Sequence, residues 1–395
     1  MKIKLITILL IVFYLISCKT EKEEKFKKSI CGEWIFVKVG TDNEARNAEK
    51  KEERKTIELP LPPSISENLN FRKGYIFYSN NSCEDKRGYF KQIDGKSRED
   101  KKILFLGNDT KYKVEDDSLK IFDLADSTWK GIKIRSITSD TLTLEVDDTV
   151  FFKYAKTHYR IDKAQTFDMI LVSSSACNGT CPISNTSIDK YGNFIFYGQG
   201  YNTKTGLFIS KINQDYYHRI ELNFKKANID KLDNNYSANW TDDQTITVTF
   251  IKDNKIYKTI SDYGHKAPRE LYWAYTPVNF LYQKLDLKPF KVNTKEPLSI
   301  SPACFENKGL ICELERSERF YLSIELYRSK EVKHVFEKKY ILRYWDEKDN
   351  QKEIITDGRY YQFREKNKAI TLDLGYNFLD RNNLHPKFRQ KNKYD

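Results

Sequence analysis

Gly32-Glu33-Trp34-Ile35-Phe36-Val37-Lys38-Val39 is the stretch from which the fold is read. It is short, rich in aromatic and β-branched residues, and opens on a glycine, as a strand leaving a turn does. Stretches of the same kind follow: Gly74-Tyr75-Ile76-Phe77-Tyr78, Lys102-Ile103-Leu104-Phe105-Leu106, Tyr112-Lys113-Val114, Leu119-Lys120-Ile121-Phe122, Ile132-Lys133-Ile134 and Thr141-Leu142-Thr143-Leu144-Glu145-Val146. Asp116-Asp117-Ser118 and Ser139-Asp140 supply turns between them. Many short strands at regular spacing predict an antiparallel barrel or sandwich over residues 31–156. The charged run Asp42 to Lys55 and the prolines of Leu59-Pro60-Leu61-Pro62-Pro63 read as a solvated excursion from that minimal barrel.

From residue 157 to 289 the pattern becomes α+β, with two hairpins and two helices. Phe167 to Val172 reads as a strand. Ile183 to Ile188 and Asn193 to Tyr197 form a hairpin around Tyr191-Gly192. Ile212, Tyr216, Ile220 and Phe224 recur every four residues, so Ser210 to Ala227 is predicted to be a helix with Ser210 at its N-cap. Thr245 to Phe250 and Ile256 to Ile260 make a second hairpin over Asp253-Asn254. Pro268 starts a second helix lined by Leu271, Tyr275, Val278, Leu281 and Leu285, kinked at Pro277. Residues 290–395 read as a β-rich region: Leu314 to Tyr327 is a helix of poor periodicity, and short strands follow at Glu353 to Thr356, Tyr360 to Phe363 and Ala369 to Leu372. The fold class is mainly β with α+β. Asp357, Arg359 and Asp373 read as a surface charge cluster, and Arg381 to Lys393 as a basic tail, disordered or facing anionic headgroups.

The chain begins MKIKLITILLIVFYLISC. Lys2 and Lys4 precede an apolar run, Leu5 to Ile16, that is shorter than the roughly 20 residues a membrane span needs, so residues 1–18 read as a secretory signal. Leu15-Ile16-Ser17-Cys18 resembles the lipobox of bacterial lipoproteins. That resemblance implies that Cys18 is lipidated and opens the mature chain, and that the protein sits in the cell envelope, on the outer membrane of a Gram-negative bacterium. Residues 19–30 are highly charged and read as a tether.

Six cysteines remain besides Cys18. An even number in an oxidising compartment reads as disulfides, and their clustering suggests Cys31–Cys83, Cys177–Cys181 and Cys304–Cys312. Cys177 and Cys181 read as a structural clip or as a redox pair. A metal site there would need further ligands such as His218 or His265. Asp242 and Asp243 are adjacent, would face opposite ways in a strand, and make a poor acid/base pair; Asp242 reads as fixing a turn. The formal charge is +12, or +10 once Lys2 and Lys4 leave with the signal. The lysines are interleaved with acids, which describes a solvated surface and not a nucleic-acid site.

Two further resemblances attach to these residues. Gly32-x-Trp34, Tyr112-x-Val114 with Leu119-x-Ile121, and Leu142-x-Leu144 to Lys153-Tyr154 resemble the lipocalin-like domains of bacterial lipoproteins, which implies a small barrel; Trp34 then plugs its floor. Cys177-x-Gly179-x-Cys181-Pro182, Gly192, Thr241-Asp242 and Ala267-Pro268 resemble an uncharacterised bacterial domain family with a C-x-G-x-C-P motif, which implies an α+β fold and brings no established activity with it. The sequence carries no G-x-S-x-G, H-E-x-x-H, P-loop or dinucleotide fingerprint. The functional expectation is a lipid-anchored envelope protein of non-enzymatic binding or structural modules, with no cofactor. Its expected partners are the membrane, through the anchor, and an envelope protein, lipid or glycan. The alternative is a thiol-redox or other enzyme centred on Cys177 and Cys181.

Overall fold

The computed structural model describes residues 26–41, 72–290, 304–345, 351–365 and 368–392. The signal, Cys18 and the excursion at 42–63 lie outside them. Two compact units emerge, Met1–Lys91 with Phe105–Arg160, and Gln92–Leu104 with Ile161–Asp395.

The first unit is a closed antiparallel barrel. Its strands are Gly32–Thr41 (β1), Gly74–Phe77 (β2), Ser82–Ile93 (β3), Lys102–Glu115 (β4), Ser118–Asp123 (β5), Thr128–Ile137 (β6), Thr141–Glu145 (β7) and Val150–Thr157 (β8). Each pairs with its sequence neighbour, and β8 closes on β1 from Glu33↔Thr157 to Thr41↔Val150, with a bulge at Phe36/Lys38. Alternation sends one set of side chains inward. Trp34, Phe36, Tyr75, Phe77, Tyr112, Leu119, Leu142, Leu144 and Tyr154 form the core. Trp34 is fully buried and its indole N–H donates to the Ile30 carbonyl at 2.6 Å. The residues read as the end of a tether are therefore structured: 26–30 form a helical turn that drops Ile30 into the barrel core.

In the second unit an open sheet of order β13-β15-β14-β9-β10-β11-β12-β16 comes first. Its strands are Met169–Ser174 (β9), Ser184–Asp189 (β10), Asn193–Gly198 (β11), Gly206–Lys211 (β12), Asn235–Ser237 (β13), Thr245–Lys252 (β14), Lys255–Tyr263 (β15) and Lys288–Pro289 (β16). Both expected hairpins form. Asp253 and Asn254 take positive φ in the β14–β15 turn, the geometry a two-residue hairpin requires. In the β10–β11 turn Gly192 has φ +79°, and an added Cβ would lie 2.2 Å from the Ile212 carbonyl oxygen, so glycine is needed there.

The first helix, Gln214–Lys226 (α1), is capped by Asn213, whose Oδ1 accepts from Tyr216 N at 2.8 Å. Ser210, the expected cap, lies in β12 instead; the apolar period had run back through a strand. The second, Arg269–Asn279 (α2), follows Pro268 and carries Pro277 in its last turn. It ends at Asn279, and Leu281–Gln283 is a 3-10 turn.

The C-terminal region supplies a third sheet of order β19-β23-β22-β21-β20-β17-β18-β24. Its strands are Cys304–Asn307 (β17), Leu310–Glu313 (β18), Lys330–Glu331 (β19), Tyr340–Trp345 (β20), Gln351–Thr356 (β21), Tyr360–Glu365 (β22), Lys368–Asp373 (β23) and Arg389–Gln390 (β24). Its helices are Arg316–Arg328 (α3) and the short Phe378–Arg381 (α4). α3 packs on β9, β14 and β15, while α2 packs on β9 and β10. The central sheet is thus covered on both faces, and one apolar core runs from Met169, Leu171 and Ile251 through Leu322 and Ile324 to Leu342, Tyr361 and Phe378. A boundary at residue 290 therefore does not separate two cores. The basic tail is also tied down: Lys387 pairs with Glu318, Arg389 with Glu313 and Lys391 with Glu306. Among the described residues no helix is long and apolar enough to cross a membrane.

Candidate functional site: a clip, a polar cleft and a charged barrel interior

The loop between β9 and β10 holds Cys177 and Cys181, which are disulfide-bonded across a Cα–Cα distance of 5.8 Å. The bond closes a loop already fixed at several points. Asn178 N donates to the Asp242 carbonyl at 3.0 Å. The Pro182 carbonyl accepts from Ser174 Oγ at 2.8 Å and from Gln244 Nε2 at 2.9 Å. Ser184 Oγ donates to Asn279 Oδ1 at 3.2 Å, joining the loop to α2. Asp242 holds its turn with φ +70°, and Asp243 accepts from the Trp240 indole at 3.0 Å. Neither histidine approaches the cysteines as a ligand: His265 Nδ1 lies 2.7 Å from the Tyr275 hydroxyl, which donates to buried Asp262, and His218 packs edge-on to Tyr217.

The other two expected bridges are not formed; Cys31, Cys83, Cys304 and Cys312 are free thiols. β17 and β18 pair with Phe305↔Cys312 and Cys304↔Glu313. Cross-strand partners share a face and neighbours along a strand do not, so Cys312 points into the core with Phe305 while Cys304 points the other way with Glu313. In the barrel, Gly32↔Phe77 and Phe77↔Cys83 set β2 between the two cysteines. Two strand steps span about 9–10 Å, beyond the roughly 7 Å a disulfide tolerates. Burial pushes the Cys83 and Cys312 thiols each up to about 12, which keeps them protonated and inert.

A cleft of about 640 Å³ opens beside β13 and β15, the first turn of α3 and the segment after α4. Its volume lies in the range of small-molecule sites, yet its lining is polar. Glu318 is 1% exposed; both its carboxylate oxygens accept from Lys387 Nζ, at 2.8 and 3.1 Å, and one accepts from Glu315 N at 2.9 Å. Lys258 Nζ donates to the Leu232 carbonyl, and the Tyr257 hydroxyl to Asp230. Asn382 is used internally, bridging Ile256 N and the Phe378 carbonyl. The amides of Asn234, Asn235 and Asn383 line the cleft with no side-chain partner among the described residues. Burial raises the Glu315 carboxyl above its ordinary pKa, the Glu318 charge adds to this, and Lys387 opposes it. Nothing in the sequence marks this cleft, because its residues are polar, unremarkable in spacing, and spread from 234 to 387.

The barrel interior holds a charge cluster that also went unread. Asp85 shares a cross-strand row with Trp34 and Tyr75, is 5% exposed, and pairs with Arg87 at 3.6 Å. Burial raises the Asp85 carboxyl pKa and Arg87 opposes the shift. Burial, with the Arg87 charge, lowers Lys73 to about 8; its Nζ sits 3.8 Å from the centroid of the Phe152 ring. The alternation of Cys83, Asp85, Arg87 and Tyr89 would have placed these charges inside, had β3 been recognised as a strand.

No curated protein matches the chain. Residues 168–282, which carry the clip, α1, α2 and the β13–β15 side of the cleft, match the model of the family described as Domain of unknown function (DUF6438).

Proposed function

We propose that the protein is a lipid-anchored cell-envelope protein whose domains bind rather than catalyse, and that the cleft beside β13 and β15 takes a neutral, hydroxyl-rich ligand of the glycan class. The lining of that cleft carries the reading. Its charges, Glu315 and Glu318 against Lys258 and Lys387, sum to zero and Glu318 is paired with Lys387, so the lining has no net charge for an ionic ligand. The uncommitted groups are three amides, each offering a donor and an acceptor, which suit vicinal hydroxyls.

The hydrogen bonds that hold the Cys177–Cys181 loop at Asn178, Pro182 and Ser184 support a clip over the alternative thiol-redox reading. The Leu15–Cys18 resemblance supports the anchor. Titration of the full chain with soluble envelope glycans should give saturable binding that falls at least about tenfold in an Asn234→Ala, Asn235→Ala, Asn383→Ala variant. Binding unaltered in that variant, or none to any glycan, would remove the cleft from the account. Cys18→Ala should move the protein from the membrane fraction to the soluble one; retention in the membrane would remove the anchor.

A further inference from the structure

A different part of the second unit carries a charge with no counter-charge. The pairs Thr247↔Ser173, Asn185↔Ser173 and Asn185↔Tyr197 place Thr247, Ser173, Asn185 and Tyr197 in one row on one face of the central sheet. That face is the one under α3: Thr247 Oγ1 accepts from Ser317 N at 3.0 Å, and Thr249 Oγ1 lies 2.7 Å from Ser317 Oγ. At the other end of the row Arg316, the first residue of α3, donates through a terminal nitrogen to Gln199 Oε1, just beyond Tyr197. Ser173 and Asn185 lie between these two fixed ends.

Two groups there are buried without a partner, and the amide of Asn185 lies beside them. Ser173 is fully buried, and its hydroxyl has no hydrogen-bond partner. Asn185 is 5% exposed, and no residue among those described engages its amide. Arg316 Nε is buried without a partner. No carboxylate among the described residues pairs with Arg316. Glu318 is turned to Lys387 and Glu315 N, and Arg319, which donates to the Leu314 carbonyl, adds a second positive charge nearby. Burial, with the Arg319 charge, lowers Arg316 to about 10, the signature of a desolvated cation lacking an anion.

A desolvated cation without a counter-charge and a fully buried hydroxyl without a partner are both costly. We propose that the row Thr247–Ser173–Asn185–Tyr197 beneath α3 forms a binding site for an oxoanion, a carboxylate or a phosphate, with Arg316 as its counter-charge and Ser173 and Asn185 as donors. Arg316 offers a planar guanidinium suited to either anion. The site is independent of the glycan reading of the cleft, since Arg316, Ser173, Asn185, Thr247 and Tyr197 do not line the cleft.

The test uses the full chain at fixed ionic strength, with sodium chloride exchanged for inorganic phosphate in one arm and for acetate in the other. Phosphate, acetate or both should raise the unfolding midpoint by about 2 °C or more above the chloride control, and the responding arm identifies the anion. Arg316→Gln and Ser173→Ala should each weaken that anion about tenfold or more, while Gln199→Ala, which removes the protein's own partner for Arg316, should retain binding. Should Arg316→Gln fail to fold, the Ser173→Ala, Asn185→Ala double variant decides in its place. Midpoints that match chloride in both arms, or full anion affinity in the folded variants, would overturn the site.

Discussion

β5 in the barrel and β9 in the central sheet cover their faces in opposite ways. β5 alternates, with Leu119 and Ile121 buried and Lys120 turned outward. β9 is buried at every position from Met169 to Ser174, and so is β10. The barrel closes on itself and needs no second layer, so its inner face takes the large aromatic residues, with the Asp85 cluster among them, and its outer face the rest of the charge. The central sheet is open and relies on α1 and α2 on one side and α3 on the other, so even its serines and threonines are buried. A closed barrel localises its stabilisation around a few large inner side chains. A sheet covered on both sides makes distant parts of the chain interdependent.

The largest expected effect breaks the barrel side of this comparison. Trp34→Ala removes a fully buried indole and its bond to Ile30, and should cost about 3–5 kcal/mol, read as a fall in the barrel's denaturation midpoint. On the other side, Leu322→Ala empties a position in the core shared by both sheets. It should cost about 2–5 kcal/mol, and hydrogen exchange should rise in β9, β14 and β20 together. Acceleration confined to residues 304–392 would show that the C-terminal sheet is a separate core.

Smaller again is the clip. A Cys177→Ser, Cys181→Ser variant opens a loop of only a few residues, whose closure accounts for about 2 kcal/mol, and it should stay folded, because Pro182, Ser184 and Asn178 remain hydrogen-bonded. A thermal melt checks this. The smallest effect concerns the barrel's inner charges. Lys73 should titrate with a midpoint near 8 by NMR. Its ammonium form is the one disfavoured on folding, so Lys73 costs the barrel stability below that pH and the cost fades as pH rises towards the unfolded value. A midpoint near that of an exposed lysine would place it outside the desolvated interior.

The same contrast explains what could be read from sequence. Alternation along Leu119-Lys120-Ile121 and the Asp253-Asn254 turn are local signals, so the barrel and the central hairpins were legible. β12 was hidden because Ile212 continues the period of α1 backwards, and only Asn213, the true cap, marks the break. Cysteine pairing was illegible beyond Cys177–Cys181. Nearness in sequence does not reveal face: Cys304 and Cys312 flank one hairpin yet point to opposite sides of it. The cleft and the Arg316 row depend on α3 crossing the central sheet, a placement set by the fold and not by any motif.

The claim that these domains bind and do not perform thiol chemistry rests most directly on the cysteines. Alkylation of the folded full chain before and after reduction, followed by peptide mapping, reads their state. The account predicts that Cys177 and Cys181 are alkylated only after reduction, whereas Cys31, Cys83, Cys304 and Cys312 react without reductant once the chain is unfolded. Free, rapidly alkylated Cys177 and Cys181 in the native protein would contradict it.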